Sequence, residues 1–148
     1  MSSKILYRMA STFLILFALG HQLGFRSTDP LWGANTVVDG MKSVHFQVQG
    51  MSRSYWDFFS GFGFFVTVFL LFAAVLAWQL GGLSKETQQS LAFVMWTLAF
   101  SFVVITFLSW RYFFIAPLVF SAIVSLCLLM AAWNAGRVSH QRSTAAAG

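Results

Sequence analysis

The residues best suited to chemistry lie in one polar segment, residues 21–57, between the first two apolar stretches of the chain. This segment holds three of the four acidic residues and two of the three histidines. His21 stands about one helical turn from the end of the first apolar stretch, Asp57 about one turn into the second, and Arg111 at the end of the third. At a rise of about 1.5 Å per residue, membrane-crossing helices would place these groups at similar depth. Because an ionisable group at that depth normally faces the helix bundle and needs a partner, the spacing predicts a polar rim containing all three.

The predicted site is a set of polar and aromatic side chains expected at this rim. Two chemistries fit it: binding of a lipophilic ligand, and acid–base catalysis in which His21 transfers a proton and Asp57 orients its ring. The predicted ligand-binding residues are His21, Arg26, His45, Tyr55, Asp57, Trp110 and Arg111. The sequence leaves open whether any reaction is catalysed.

Each of the three central residues also has a purely structural interpretation. Asp57 stands three residues after Ser54, which is the spacing of a capping box at a helix start. Arg111 lies where a long cationic side chain reaches the lipid headgroups. His21 follows a glycine on a helix face suited to close packing, so it either points at another helix or forms a simple hydrogen bond to a carbonyl or a lipid headgroup.

Several other kinds of site are excluded by the residues present. A bis-histidine haem in the membrane needs two histidines at matching depth, and only His21 lies within an apolar stretch. The spacings typical of zinc and di-iron sites are missing, as are the P-loop, the dinucleotide fingerprint and the nucleophile elbow. The sequence therefore predicts no metal and no cofactor, and the lack of a basic run predicts no nucleic-acid partner.

The composition places these residues in a membrane protein. Hydrophobic residues make up 58% of the chain and charged residues 9%, with a mean hydropathy of +0.74, whereas a soluble domain has about a quarter of its residues charged. Four apolar stretches, 9–25, 55–80, 91–110 and 116–135, are close to the roughly 20 residues that a helix needs to cross the hydrocarbon core. We therefore expect an all-α, integral membrane four-helix bundle that forms one domain, 1–136.

Helix-boundary residues agree with these four spans. Gly81 and Gly82 predict the end of the second span, Ser84 a cap for the third, and Pro117 the first turn of the fourth. The nearly continuous apolar runs over 62–78 and 91–108 lack the alternation of β-barrel strands. The boundary signals therefore favour helices.

The distribution of cations predicts an orientation in the membrane. One side would carry Lys4, Arg8, Lys85, Arg137 and Arg142, and the other Arg26, Lys42, Arg53 and Arg111. The split is only five to four, but the second side also carries Asp29, Asp39 and Asp57. The distribution therefore favours both termini in the cytoplasm and the polar segment outside. Residues 137–148 are expected to form a disordered cytoplasmic tail. The first span also fits a secretory signal peptide, although it is long for one.

The polar segment carries a helical pattern of its own. Apolar and amphipathic residues recur at helical spacing at Val37, Val38, Met41, Val44, His45 and Val48. This pattern predicts a short amphipathic helix in the first outer loop, lying on the membrane surface. The helix would be either a lid over a ligand or a loop that keeps its apolar side in the interface.

Phenylalanines are concentrated at the start of the second span, where Gly61 and Gly63 interrupt them. Phe58, Phe59, Phe62, Phe64 and Phe65 form this cluster. The glycines either open space for a flat apolar ligand or let another helix pack closely.

Four short spans, a long first outer connection and a Tyr-Trp-Asp start at 55–57 that leads into Gly-Phe-Gly at 61–63 resemble small four-helix membrane proteins of bacteria with no assigned activity. The resemblance implies a helical bundle in a bacterial inner membrane, and it transfers no active-site residues.

Two functional hypotheses follow. The first is an accessory or lipophilic-ligand-binding subunit, whose partners are membrane lipids, another membrane protein or a second copy of the chain. The second is a small membrane enzyme that uses His21 as acid or base on a lipid or quinone-like substrate.

Overall fold

The computed structural model describes the backbone of residues 1–145, and the side chains of all of these except Pro30 and 137–145. Its helices and strands, in chain order, are α1 (Ser3–Gly24), a 3-10 turn (Pro30–Trp32), α2 (Asn35–Ser43), β1 (His45–Val48), β2 (Met51–Ser54), α3 (Tyr55–Gly82), α4 (Lys85–Ser90), α5 (Ala92–Tyr112) and α6 (Ile115–Ala145).

Four of these helices are long and apolar enough to cross a membrane: Ser3–Gly24, Tyr55–Gly82, Ala92–Tyr112 and Ile115–Gly136. The protein is 81% helical, so the predicted all-α fold, with four membrane-spanning helices as in a bundle, is confirmed. The first helix begins earlier than predicted, at Ser3, because Lys4 and Arg8 are good helix formers and need not be excluded from the helix. The second ends at Gly82, as the paired glycines predict.

The described chain divides into two compact units. The first comprises Met1–Phe17 and Leu70–Gly148, and the second comprises Ala18–Phe69.

Close helix packing in the first unit depends on small residues of α1 and α3. Ala74, which is buried, accepts a 2.8 Å hydrogen bond at its carbonyl oxygen from the Ser11 hydroxyl. A β-carbon on Gly81 would lie 3.0 Å from Tyr7 Cβ and 3.3 Å from the Lys4 carbonyl oxygen. Small residues at these positions let the backbones of α1 and α3 approach closely, and such contact stabilises helix association in a membrane.

The third span does not start at Ser84. The Ser84 hydroxyl accepts a hydrogen bond from the Thr87 amide at 3.3 Å, and so caps the six-residue helix α4 instead. Gln88 of α4 is buried and donates from Nε2 to the Leu80 carbonyl oxygen at 2.8 Å. The membrane span α5 then begins at Ala92, so the predicted cap belongs to a separate short helix.

The second unit contains a β-hairpin where part of the amphipathic helix was predicted. The helix forms over α2 and includes Val37, Val38 and Met41, but it ends at Ser43. Val44, His45 and Val48, which were assigned to that helix, lie at or beyond its end, and the last two belong to β1. A local turn replaces the helix here, because Gln49 and Gly50 both have positive φ, 51° and 79°, as a two-residue type I′ hairpin turn requires.

The strands of this hairpin pair in antiparallel register, with His45 opposite Ser54 and Val48 opposite Met51. The hairpin leads directly into α3 at Tyr55. The polar segment is therefore a short helix and a two-stranded ribbon rather than an irregular loop.

The last helix, α6, extends beyond the predicted fourth span. Residues 137–145 of the predicted disordered tail continue this helix, and 146–148 lie outside the described residues. The sequence after Gly136 has no proline, and its alanine, arginine and glutamine residues are compatible with helix.

Candidate functional site

The candidate site lies in the second unit and is built around His21. Its Nδ1 lies 3.0 Å from the Thr67 hydroxyl oxygen, which joins the end of α1 to α3. The same hydroxyl lies 3.2 Å from Gln22 Oε1 and 3.2 Å from the Gly63 carbonyl oxygen. His21, Gln22 and Thr67 are each half-buried. Three polar side chains are therefore joined between the end of α1 and α3.

The number of protons in this network indicates the tautomer of His21. A threonine hydroxyl carries one hydrogen and donates it once, here to Gln22 Oε1 or to the Gly63 carbonyl. With the Thr67 hydrogen on either of these two oxygens, the nitrogen of His21 that faces Thr67 is the donor, so the arrangement favours the Nδ1–H form. That form leaves Nε2 with a lone pair that can accept a hydrogen bond.

Gly63 determines how closely the end of α1 approaches α3. A β-carbon at position 63 would overlap the ring of Phe25, which lies one turn after His21 on the chain. The Phe25 ring stacks on the His21 imidazole, with ring centres 5.0 Å apart and planes 8° from parallel. The space beside Gly63 therefore holds the protein's own Phe25 ring, which agrees with the close-packing interpretation of this glycine.

More aromatic rings and one cation surround Phe25. Phe59 lies 6.2 Å and Phe64 5.5 Å from the Phe25 ring centre, the latter edge to face. The Arg26 guanidinium lies 5.2 Å from the centre of the Phe25 ring and 5.1 Å from that of Phe64. The negative faces of the rings attract this cation, so Arg26 is held beside the predicted site.

Ring contacts continue from Phe59 to the segment that precedes α3. Trp56 lies 5.4 Å from Phe59, and the Lys42 ammonium of α2 lies 4.7 Å from the centre of the Trp56 ring. Phe46 of β1 packs at 5.8 Å on Phe58. The segment formed by α2, β1 and β2 (residues 35–54) is therefore packed on the first turns of α3.

The Asp57 carboxylate caps the start of α3. Its Oδ2 accepts hydrogen bonds from the Ser54 amide at 2.7 Å and the Ser54 hydroxyl at 3.0 Å, while the Asp57 amide donates to the Ser54 hydroxyl at 3.2 Å. This reciprocal pair is the predicted capping box. The partner that orients His21 in the structure is Thr67, and among the described residues no hydrogen bond joins His21 to Asp57.

The other predicted site residues fall into both units. His45 lies on β1 and is exposed, with Nδ1 3.0 Å from the Ser43 carbonyl oxygen. Tyr55 is 60% exposed and packs on Phe46 at 5.1 Å. The remaining two, Trp110 and Arg111, belong to the first unit: Trp110 contacts Phe107 at 5.9 Å, and the Arg111 guanidinium lies 5.2 Å from the Tyr112 ring centre.

Two residues that the sequence reasoning missed complete the network. Gln22 follows His21 directly, and Thr67 is a polar residue inside the apolar run of α3. A hydroxyl in such a run is a usable signal, because it must bond either to its own helix or to a neighbour. Thr67 does both.

Among the described residues, no three His, Cys, Asp or Glu side chains form a group that could hold a metal ion. In comparisons with known proteins, no family model matches the chain, and no significant similarity to a curated protein or to a solved structure is found.

Proposed function

We propose that the protein is an accessory membrane subunit that binds a lipophilic ligand, and that His21 and Gln22 hold the polar head of that ligand. One observation carries the proposal. Neither His21 Nε2 nor the Gln22 amide nitrogen has a hydrogen-bond partner within the described part of the chain, although both belong to a helix able to span a membrane. Polar groups without partners cost several kcal/mol in hydrocarbon, so a ligand head that bonds to them would be stabilised.

The two nitrogens define the chemistry of the ligand head. His21 Nε2 accepts a hydrogen bond, and the Gln22 amide donates one. A hydroxyl group satisfies both, and a carbonyl satisfies the amide. A hydroxylated lipid or a quinol-like molecule has such a head together with an apolar body, which suits the rings of Phe25 and Phe64 and the neighbouring Arg26.

The exposed face of α3 supports contact with lipid or with another membrane chain. Its most exposed rings recur at helical spacing: Phe62, Phe65, Phe69 and Phe72 are 62% to 69% exposed. An apolar stripe of this kind is stable in hydrocarbon or against a second helix. We therefore include membrane lipids, a partner membrane protein and a second copy of the chain among the proposed partners.

The proposed setting is a bacterial inner membrane with both termini in the cytoplasm, so that the site lies at the extracytoplasmic rim. The support is the cation distribution, because Lys4, Arg8 and Lys85 fall on the side that the positive-inside rule assigns to the cytoplasm.

The alternative function is a small membrane enzyme with His21 as its acid or base. It is favoured by the orientation of the ring: Thr67 binds Nδ1 and leaves Nε2 for proton transfer. In this version Thr67 takes the orienting role that the sequence assigned to Asp57.

Native mass spectrometry of the protein released gently from its own membrane tests the proposal. We expect a bound lipophilic molecule in the parent and its loss in Thr67→Val, which keeps the side-chain shape but removes the hydroxyl. Thr106→Val is the matched control, since Thr106 is also half-buried but, among the described residues, its hydroxyl bonds only to the Phe102 carbonyl of its own helix, at 2.7 Å. Equal ligand occupancy in the two variants would contradict the proposal.

A second variant separates binding from catalysis. His21→Gln retains hydrogen bonding but cannot act as a base near neutral pH. Under the accessory-subunit proposal, the variant keeps the bound molecule. Under the enzyme alternative, His21→Gln binds the substrate but leaves its mass unchanged, whereas the parent protein converts the substrate into a product.

A further inference from the structure

We propose that Lys4, Arg8 and Trp78 of the first unit bind the phosphate of an anionic phospholipid. Lys4 and Arg8 border an open groove of about 350 Å³, lined by Lys4, Ile5, Arg8, Met9, Thr12 and Phe13, and Trp78 lies against the Arg8 guanidinium. This site shares no residue with the His21 network and does not depend on the proposed function.

Arg8 is held in a geometry that leaves its donors free. Its guanidinium carbon lies 3.2 Å from the centre of the Trp78 ring, and a β-carbon on Gly82 would lie 3.8 Å from Arg8 Nη2. The planar group is therefore stacked by its face on the end of α3. Stacking uses none of the five N–H donors, which point outward in the plane of the group and match two phosphate oxygens.

Lys4 adds a second cation one turn away on the same helix, about 6 Å along its axis. Neither Lys4 nor Arg8 is ion-paired, and neither side chain has a hydrogen-bond partner, within the part of the chain that the structure describes. Asp29, Asp39 and Asp57 belong to the second unit, and the fourth acidic residue, Glu86 of α4 in the first unit, forms no ion pair with Lys4 or Arg8 within the described residues. Two uncompensated cations at one place favour an anionic partner.

The floor of the groove selects a lipid rather than a free phosphate ion. Ile5 is 50% and Met9 37% exposed, and with Phe13 they form an apolar strip that continues from the cations along α1. The indole of Trp78 is half exposed, as expected of a ring at the headgroup level. A phosphate between Lys4 and Arg8 would therefore leave its acyl chains against this strip.

The test is a titration of the purified full chain in a non-ionic detergent, followed by native mass spectrometry. The probes are phosphatidylglycerol, phosphatidylcholine and inorganic phosphate. We expect phosphatidylglycerol to bind with defined stoichiometry, and an excess of either other probe not to displace it. Because one cation near an anionic surface contributes about 1 kcal/mol, Lys4→Gln and Arg8→Gln should each weaken binding about fivefold.

Controls distinguish the site from general charge attraction. Lys85→Gln removes an exposed cation outside the groove and should leave phosphatidylglycerol binding unchanged. Trp78→Leu should weaken it without changing the net charge, whereas Trp96→Leu should not. Lys4→Gln changes only an exposed side chain, so it tests the proposal even where an Arg8 variant fails to fold. The proposal is overturned if Lys85→Gln weakens binding as much as Lys4→Gln, or if phosphatidylcholine binds as tightly as phosphatidylglycerol.

Discussion

The ring of Phe25 occupies the space that a β-carbon on Gly63 would need. The same glycine offers its carbonyl oxygen to Thr67, whose hydroxyl faces His21. Phe25 in turn lies flat on the His21 imidazole. One residue without a side chain therefore supports both the aromatic and the polar contacts of the candidate site.

Substitution of Gly63 by alanine should destabilise the second unit, because the added methyl group displaces the Phe25 ring. Overpacking of this kind costs about 1–3 kcal/mol. Gly61→Ala is the matched control: nothing lies within 4 Å of its added carbon, so it should stabilise α3 by about 0.5–1 kcal/mol through helix propensity. The free energy of unfolding in mixed micelles measures both. Equal effects of the two substitutions would show that Phe25 does not pack at Gly63.

Removal of the Ser54 hydroxyl should loosen the start of α3. Ser54→Ala takes away the acceptor for the Asp57 amide and one donor to its carboxylate, at a cost of about 1 kcal/mol. Hydrogen exchange at the Asp57 amide is the direct measurement, and it should become faster. Ser52→Ala, on an exposed residue of β2, should leave that exchange rate unchanged. An unchanged rate in Ser54→Ala would rule out the capping box.

The membrane spans could be predicted because hydropathy over about 20 residues is a local property of the sequence. The hairpin could not be predicted with the same method. Val44 and Val48 stand four apart, which fits a helix, but they also fit the two-residue period of a strand. The segment forms a hairpin rather than a helix because Gln49 and Gly50 have positive φ angles, which reverse the direction of the chain.

Gly50→Ala should destabilise the hairpin, because alanine in the left-handed region costs about 1–2 kcal/mol. The cross-strand contacts between His45 and Ser54 and between Phe46 and Arg53 report on it, for example as nuclear Overhauser effects. Gly40→Ala is the control: it lies in helix α2 with open space around it, and should leave those contacts intact. Unaltered cross-strand contacts in Gly50→Ala would refute the type I′ turn.

Tyr7→Phe should leave the protein equally stable or make it more stable. The Tyr7 side chain is completely buried, and its hydroxyl has no hydrogen-bond partner among the described residues. A buried hydroxyl without a partner carries a desolvation penalty of about 1–3 kcal/mol, which phenylalanine avoids. Thermal unfolding in detergent compares the two proteins, with Tyr55→Phe as an exposed control. A clear loss of stability in Tyr7→Phe would mean that the hydroxyl has a partner.

Part of the candidate site could be predicted from the sequence. His21 was identified because an ionisable group inside an apolar stretch needs a partner. The choice of Asp57 as that partner rested on depth alone, but the Asp57 carboxylate is already satisfied by Ser54 three residues away. Thr67 lies 46 residues from His21 in the chain, and the rotation of each helix about its axis, which decides such a pairing, is not encoded in hydropathy.

We propose above all that His21 is fixed by Thr67 through Nδ1 and binds a ligand through Nε2. Nitrogen-15 NMR of the imidazole in lipid bilayers tests it most directly, in a His45→Gln, His140→Gln background where His21 is the only histidine. We expect a protonated Nδ1, and an Nε2 resonance that shifts when the delipidated protein is reloaded with total lipid extract of its source membrane. In Thr67→Val the Nδ1 signal should change and the response to lipid should be lost. A protonated Nε2 that does not respond to lipid would contradict the account.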